Sequence, residues 1–175
     1  MTVALNVKLD IKNATRGLNR WERKLIPSVT RSALNRAGKK VKTEIVRFLS
    51  PKTKIKQKDL RSGIRIIRAS FTRATVTLIA RGRRFNVIRF KARETKKGLV
   101  AHPWGIRRIY LTGFIGNNQR TALMRLPSGK LKGISGPGLS SEFINDQAIR
   151  LMEQVGRAAF IKEFNRDLKR RIGNL

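Results

Sequence analysis

Residues that could perform catalysis are scarce in this sequence of 175 residues. It contains no cysteine and a single histidine, His102, in the segment Ala-His-Pro-Trp-Gly. A metal site or a nucleophilic site built on His102 would need a second histidine or a cysteine, which the sequence lacks. We therefore expect His102 to lie in a loop, packed near Trp104.

Carboxylates are the remaining candidates for acid–base chemistry, and there are only ten Asp and Glu residues. Asp10, Asp59 and Glu94 stand far apart in the sequence, each among Lys and Arg residues, which is typical of ion-pair partners. Gly133, Gly136 and Gly138 lack the spacing of a nucleotide-binding loop and indicate turns. The sequence predicts no enzyme activity, no catalytic residue, no metal site and no cofactor.

Positive charge is the dominant property of the chain, with 41 Lys and Arg against 10 Asp and Glu and a formal net charge of +31. Such a chain repels itself unless a polyanion or an acidic surface lies beside it. Between residues 60 and 141, 18 Lys and Arg accompany Glu94 alone, whereas residues 142–175 carry seven against five. The residues that we predict to contact DNA or an acidic partner are Arg81, Arg83, Arg84, Arg89, Lys91, Arg93, Arg107 and Arg108.

The kind of anionic partner stays open at this point. There is no zinc-finger spacing, no basic leucine zipper and no aromatic motif typical of RNA-recognition domains, so sequence-specific readout is disfavoured. Non-specific contact with a nucleic-acid backbone and contact with an acidic protein surface are compatible with each other, and both fit the charge.

Hydrophobic periodicity predicts the elements that must position these cations. Apolar residues on every second position indicate a strand over residues 1–12, and spacing of three or four indicates helical structure over 13–50. We expect Pro27 to interrupt this helical region and Ser50 to end it before Pro51. The lysine-rich stretch 51–58 is expected to be an exposed loop, followed by a short helix around Asp59, Leu60 and Arg61.

The rest of the chain divides into a basic β-rich region over 60–135 and a C-terminal helix over 139–172. Strands are predicted at 64–66, 75–79, 85–90 and 107–114, with 94–105 as a connection. Residues 122–126 and 130–134 should form a hairpin across Pro127-Ser-Gly129. We predict a single α+β domain over 1–175, in which an antiparallel-type sheet is packed by a long N-terminal helix and a long C-terminal helix.

Five segments follow one another in an order that is informative as a set. They are Val-Thr-Arg-Ser-Ala-Leu-Asn-Arg-Ala-Gly-Lys-Lys-Val-Lys-Thr-Glu (29–44), Lys-Asp-Leu-Arg-Ser-Gly-Ile (58–64), Phe-Lys-Ala-Arg-Glu-Thr-Lys-Lys-Gly (90–98), Gly-Phe-Ile (113–115) and Gly-Pro-Gly-Leu (136–139). This ordered set resembles the minor tail protein Z family of lambda-like bacteriophages and prophages. The resemblance implies a virion protein that completes the tail and takes part in head–tail joining, without enzymatic activity.

The resemblance also implies assembly into a homo-oligomeric ring around the DNA passage, beside other tail and neck proteins such as the tail terminator and the head–tail connector. No apolar run approaches the roughly 20 residues of a membrane-spanning helix, so we expect no membrane contact. We predict a structural protein of the virion tail and neck, assembled in the host cytoplasm. The alternative is a non-specific nucleic-acid-binding protein that acts free in solution.

Overall fold

The structure is a computed structural model that describes residues 3–6, 22–80 and 84–172. Its helices are α1 (Glu22–Thr53), α2 (Gln57–Gly63), α3 (Ser140–Phe143) and α4 (Asp146–Ile172). Its strands are β1 (Val3–Asn6), β2 (Ile64–Ile67), β3 (Thr77–Ala80), β4 (Arg84–Asn86), β5 (Arg93–Thr95), β6 (Gly98–Ala101), β7 (Arg108–Tyr110), β8 (Gly113–Ile115), β9 (Ala122–Arg125), β10 (Leu131–Gly133) and β11 (Ser135–Gly138). Two 3₁₀ turns lie at Val87–Phe90 and Pro103–Gly105.

Helices α1 and α4 form an antiparallel pair that organises the core. Arg171 near the end of α4 donates a hydrogen bond to Ser28 Oγ near the start of α1, at 3.2 Å. At the middle of the pair, Gly156 of α4 lies beside Val41 of α1, since a Cβ added at Gly156 would be 3.5 Å from the Val41 Cγ2 atom, an ordinary van der Waals contact. The apolar stripe predicted along α1 is buried, including Val29, Ala33, Ala37, Val41 and Ile45.

Three features of the predicted helices are wrong. Helix α1 is continuous through Pro27 and extends through Pro51 to Thr53. Both prolines lie within two turns of a helix end, where each removes a single backbone hydrogen bond, and burial of the stripe outweighs that loss. The predicted C-terminal helix is split at Ile144 and Asn145, because the Asn145 side chain accepts a hydrogen bond from the Gln147 backbone N–H and starts α4 there.

The predicted α+β class is confirmed. In the described residues the strands pair antiparallel in four small sheets, with the orders β1-β3-β2, β10-β9-β8, β11-β4 and β5-β6-β7. The predicted hairpin across Pro127-Ser-Gly129 is confirmed as β9 and β10. The predicted N-terminal strand is present as β1 and pairs with β3 of the same chain, while residues 7–21 lie outside the described part.

Three predictions in the β-rich region are corrected. The run Ile88-Arg89-Phe90 forms a 3₁₀ turn instead of a strand, because the Asn86 side chain accepts a hydrogen bond from the Ile88 N–H at 3.0 Å. The expected connection over 94–105 contains β6, most of β5 and the second 3₁₀ turn. Residues 135–138, interpreted as turns, form β11 opposite β4.

Candidate interface for an anionic partner

The segment that follows α1 turns its lysines outward. Thr53 and Ile55 are buried, and the Ser50 hydroxyl donates to the Ile55 carbonyl at 2.8 Å. Lys54 lies between these two anchors with a positive φ of 59°, a conformation that reverses the chain at the helix end. Lys54 and Lys56 are therefore exposed on either side of the buried Ile55 side chain.

Helix α2 continues this surface. Leu60 and Gly63 face the core, so Lys58 and Arg61 face solvent. Asp59 is half-buried and forms an ion pair with Arg89, which lies on the first 3₁₀ turn. Its carboxylate thus fixes α2 against a segment 30 residues away in sequence.

The first 3₁₀ turn presents Arg89 and Lys91 because two of its three apolar residues point inward. Val87 and Phe90 are both fully buried. Asn86 holds the turn in place, since its side chain also donates to the Ala122 carbonyl and accepts from the Ala122 N–H. Lys91 ends the turn with a positive φ of 54° and is exposed.

The second 3₁₀ turn packs against the first. The His102 N–H donates to the Phe90 carbonyl at 3.1 Å, and the rings of Phe90 and Trp104 lie 5.6 Å apart. Gly105 borders Lys54, because an added Cβ would lie 3.7 Å from the Lys54 Cε atom. The exposed Arg107 follows two residues later.

Glu142 of α3 joins this arrangement to α1. Its carboxylate accepts from Trp104 Nε1 at 3.0 Å and forms an ion pair with Lys52 Nζ at 2.9 Å. Burial raises the pKa of Glu142, but hydrogen bonds from Lys52 and Trp104 and the charge of Lys52 together hold it below its ordinary value. Glu142 therefore stays ionised and fixes the second 3₁₀ turn.

The segments 54–61, 89–91 and 105–107 together form a cationic surface, which we call the basic face. It consists of Lys54, Lys56, Lys58, Arg61, Arg89, Lys91 and Arg107, all exposed. One acidic residue, Asp59, occurs within these three segments, and it forms an ion pair with Arg89. Lys42 of α1 lies beside Arg61: burial lowers its pKa, the charge of Arg61 lowers it further, and its Nζ donates to the Ile64 carbonyl at 2.6 Å.

The predicted contact residues are only partly brought together. Arg89, Lys91 and Arg107 lie on the basic face, while Arg84 is exposed on β4, opposite Gly138 of β11. Arg93 pairs with Val100 and Arg108 pairs with Ala101, so these two arginines project from opposite faces of one sheet. Arg81 and Arg83 lie outside the described residues.

Four members of the basic face were not among the predicted contacts: Lys54, Lys56, Lys58 and Arg61. The sequence does carry a signal for the first three, since lysines at every second position from 52 to 58 indicate one exposed edge. Nothing local indicates that this edge lies beside residues 89–91 and 105–107, because these contacts join distant parts of the chain.

His102 is half-buried, and the Glu94 carboxylate accepts a hydrogen bond from the Ile115 N–H of β8 instead of pairing with a cation as predicted. Among the residues described, no group of three or more His, Cys, Asp or Glu side chains could hold a metal ion, and no helix is long and apolar enough to cross a membrane.

Comparison with known proteins gives one match. No curated protein and no solved structure matches the chain. The family model described as prophage minor tail protein Z matches residues 9–173 of 175, which covers α1, the basic face and all of α4. The chain therefore belongs to the prophage minor tail protein Z family and is a structural protein of a phage tail.

Proposed function

We propose that this tail protein completes the tail at the neck and takes part in joining the head to the tail, in several copies arranged as a ring around the DNA passage. The observation that carries the proposal is the basic face, where seven exposed cations accompany one carboxylate. A tail protein with such a surface needs an anionic neighbour, and the neck offers two, the packaged DNA and acidic surfaces of adjoining proteins.

Charge repulsion sets a condition on the ring. Each copy carries a formal net charge of +31, so copies placed side by side repel one another unless bound anions offset the charge. We propose that the basic face, with other arginines of the predicted set, contacts DNA or an acidic neck protein such as the tail terminator or the head–tail connector. This contact would make assembly conditional on the partner.

Edge strands supply a second kind of contact in the proposed ring. Among the strands that the structure describes, β1 lies at the end of the order β1-β3-β2, with β3 on one side of it. An edge strand presents unpaired backbone N–H and C=O groups that a strand of another chain can bind. We propose that β1 pairs in this way with a neighbouring subunit.

The test uses a phage that lacks this gene, complemented with variants. The triple variant Lys54→Ser, Lys56→Ser, Lys58→Ser removes three cations of the basic face. The matched control, Arg120→Ser, Arg125→Ser, Lys130→Ser, removes three exposed cations from the strands and turns around β9. We expect the first variant to give at least about tenfold fewer joined particles than the control, because anion contacts each contribute to affinity.

Electron microscopy of the intact particle checks the location and the ring. Density for several copies at the neck is the expected result. If the two triple variants gave equal numbers of joined particles, the basic face would have no role in joining the head to the tail.

The alternative of the sequence analysis, a nucleic-acid-binding protein free in solution, fits the net charge of +31, but the family match counts against it. It predicts a monomer that binds duplex DNA tightly at low salt and is absent from purified virions. Immunoblotting of purified virions therefore separates the two functions.

A further inference from the structure

A second cationic region lies along α1. Asn35, which lines it, is about 28 Å along the helix axis from Lys54, where the basic face begins. The region is an open depression of about 400 Å³ between α1 and the segment that joins β2 to β3. Its lining side chains include those of Arg31, Ser32, Asn35, Arg36, Lys39 and Arg68. It shares no residue with the basic face.

Hydrogen bonds hold the outer wall of the depression. The Asn35 side chain donates to the Ala69 carbonyl at 3.2 Å and accepts from the Ala69 N–H at 2.9 Å. These two bonds fix the backbone beside Arg68 against α1. The next residues form a tight turn, in which the Ser70 N–H donates to the Arg73 carbonyl and the Arg73 N–H donates to Ser70 Oγ.

Two of the arginines are held in position before any ligand arrives. The Arg31 guanidinium lies 4.0 Å from the centre of the Phe71 ring at the tip of this turn. Arg36 is bound through its Nη1 atom by Asp167 at 2.5 Å and by Glu163 at 3.4 Å, and it also lines the depression. A site whose donors are already ordered loses less entropy on binding.

The depression is cationic and its charge is not balanced. Arg31, Lys39 and Arg68 have no carboxylate partner in the part of the chain that the structure describes, and no acidic side chain lines the depression. Phosphate oxygens form a tetrahedral group that accepts hydrogen bonds from several directions, which suits cations on two opposing walls. The ring of Phe71 is 62% exposed beside them and offers an apolar surface to a sugar or a base.

We propose that this depression binds a phosphodiester group of a nucleic-acid backbone. The inference goes beyond the proposed function, since it adds a second, separate anion site and names its ligand. A second copy of this chain is an unsuitable occupant because of its own net positive charge. An acidic polypeptide is the competing ligand, and the test includes it.

The test measures binding of a fluorescent duplex oligonucleotide at several NaCl concentrations. The variant Arg31→Gln, Arg68→Gln removes two cations of the depression, and the matched control Arg125→Gln, Lys130→Gln removes two exposed cations elsewhere. We expect the first variant to bind at least about tenfold more weakly at low salt, with the slope of log K against log salt reduced by about 2. The control should change both quantities much less.

A third variant, Asn35→Ala, keeps the charge and removes the two bonds to Ala69. We expect it to weaken duplex binding several-fold, because Arg68 is no longer held against α1. Circular dichroism confirms that each variant is folded.

Equal losses of duplex affinity in the two double variants would overturn the proposal. Unchanged affinity in Asn35→Ala would overturn it too, and so would a loss of polyglutamate binding in Arg31→Gln, Arg68→Gln as large as the loss of duplex binding. These results are independent of whether the chain is found at the neck, so failure here and failure of the proposed function can be told apart.

Discussion

We call the interface between α1 and α4 the seam. Positive charge is paired with carboxylates in the seam, whereas most of it is left unpaired on the basic face. In the seam, Arg36 of α1 meets two carboxylates of α4, Asp167 and Glu163. On the basic face, Asp59 accompanies seven exposed cations. Both regions include cations of α1 or of the segment that follows it. The regions differ in the number of acidic residues that the fold places beside those cations.

This difference shows where the few carboxylates of the chain are used. Asp167 is almost fully buried, with its side chain 2% exposed. Burial raises its pKa, but hydrogen bonds from Arg36 and Ser32 and the charges of Arg36 and Arg170 together hold it below the ordinary value. Asp167 and Glu163 of α4 thus stabilise the helix pair, while the charge left on the basic face is available to a partner.

The strongest test of the seam removes the cation and leaves the buried acid. In Arg36→Met, Asp167 loses its main partner inside the helix pair. We expect the free energy of unfolding to fall by about 2–3 kcal/mol, below the full value for a buried pair because the Arg36 side chain is 37% exposed. Urea denaturation at neutral pH measures this.

The control for that prediction is Arg166→Met, which breaks an ion pair with Glu163 in which the arginine is 57% exposed. Exposed pairs of this kind contribute at most about 1 kcal/mol. If Arg36→Met cost no more than Arg166→Met, the seam would not depend on a buried charge.

Acidification should weaken the seam, where Asp167 is buried, and also the contact of Glu142 with Lys52 and Trp104 beside the basic face. The pKa values of Asp167 and Glu142 are lowered in the folded chain, so the unfolded chain takes up protons at a higher pH than the folded chain does. Their contribution to stability is present above the ordinary carboxyl pKa of about 4 and is lost as the pH falls through the lower folded values. The urea midpoint should therefore drop between pH 6 and pH 3.

The variant Asp167→Asn identifies the group responsible. It should be less stable than the wild type at pH 6 and should show a shallower decline on acidification. A decline as steep as that of the wild type would assign the pH dependence to other carboxylates.

The smallest expected effect lies on the basic face, where Lys54 and Lys91 adopt positive φ values of 59° and 54°. A residue with a side chain is disfavoured in this conformation and glycine is not. We expect Lys54→Gly to raise the free energy of unfolding by about 0.5–1 kcal/mol. Lys54→Ser removes the same charge without relieving the backbone, so an equal gain in both variants would show that the gain comes from charge alone.

Much of the helical structure could be predicted from the sequence. The stripe from Val29 to Ile45 repeats every three or four residues, and a helix with such a stripe must bury it. The end of α1 was placed too early because Pro51 is normally a helix breaker, whereas here it lies in the last turn. The short elements between 87 and 105 were harder, since single side chains such as Asn86 decide them.

The contact residues predicted from the sequence overlap the basic face only in part. The sequence indicated seven arginines and Lys91 in the β-rich region, and three of these eight residues lie on the basic face. The register that puts Arg93 and Arg108 on opposite faces depends on how β5 and β7 pair with β6. No periodicity within a segment contains that information.

The sequence by itself determined the excess of positive charge, the two long helices, the scarcity of catalytic residue types and the family. Composition and local periodicity express the first three properties directly, whereas the family follows from the match of residues 9–173 to the family model. Only the tertiary structure decided that Asp167 meets Arg36 across 131 residues, and that Lys54, Arg89 and Arg107 share one surface. Such contacts follow from the packing of whole elements against one core, which places distant residues side by side and so determines which charges are neutralised within the chain.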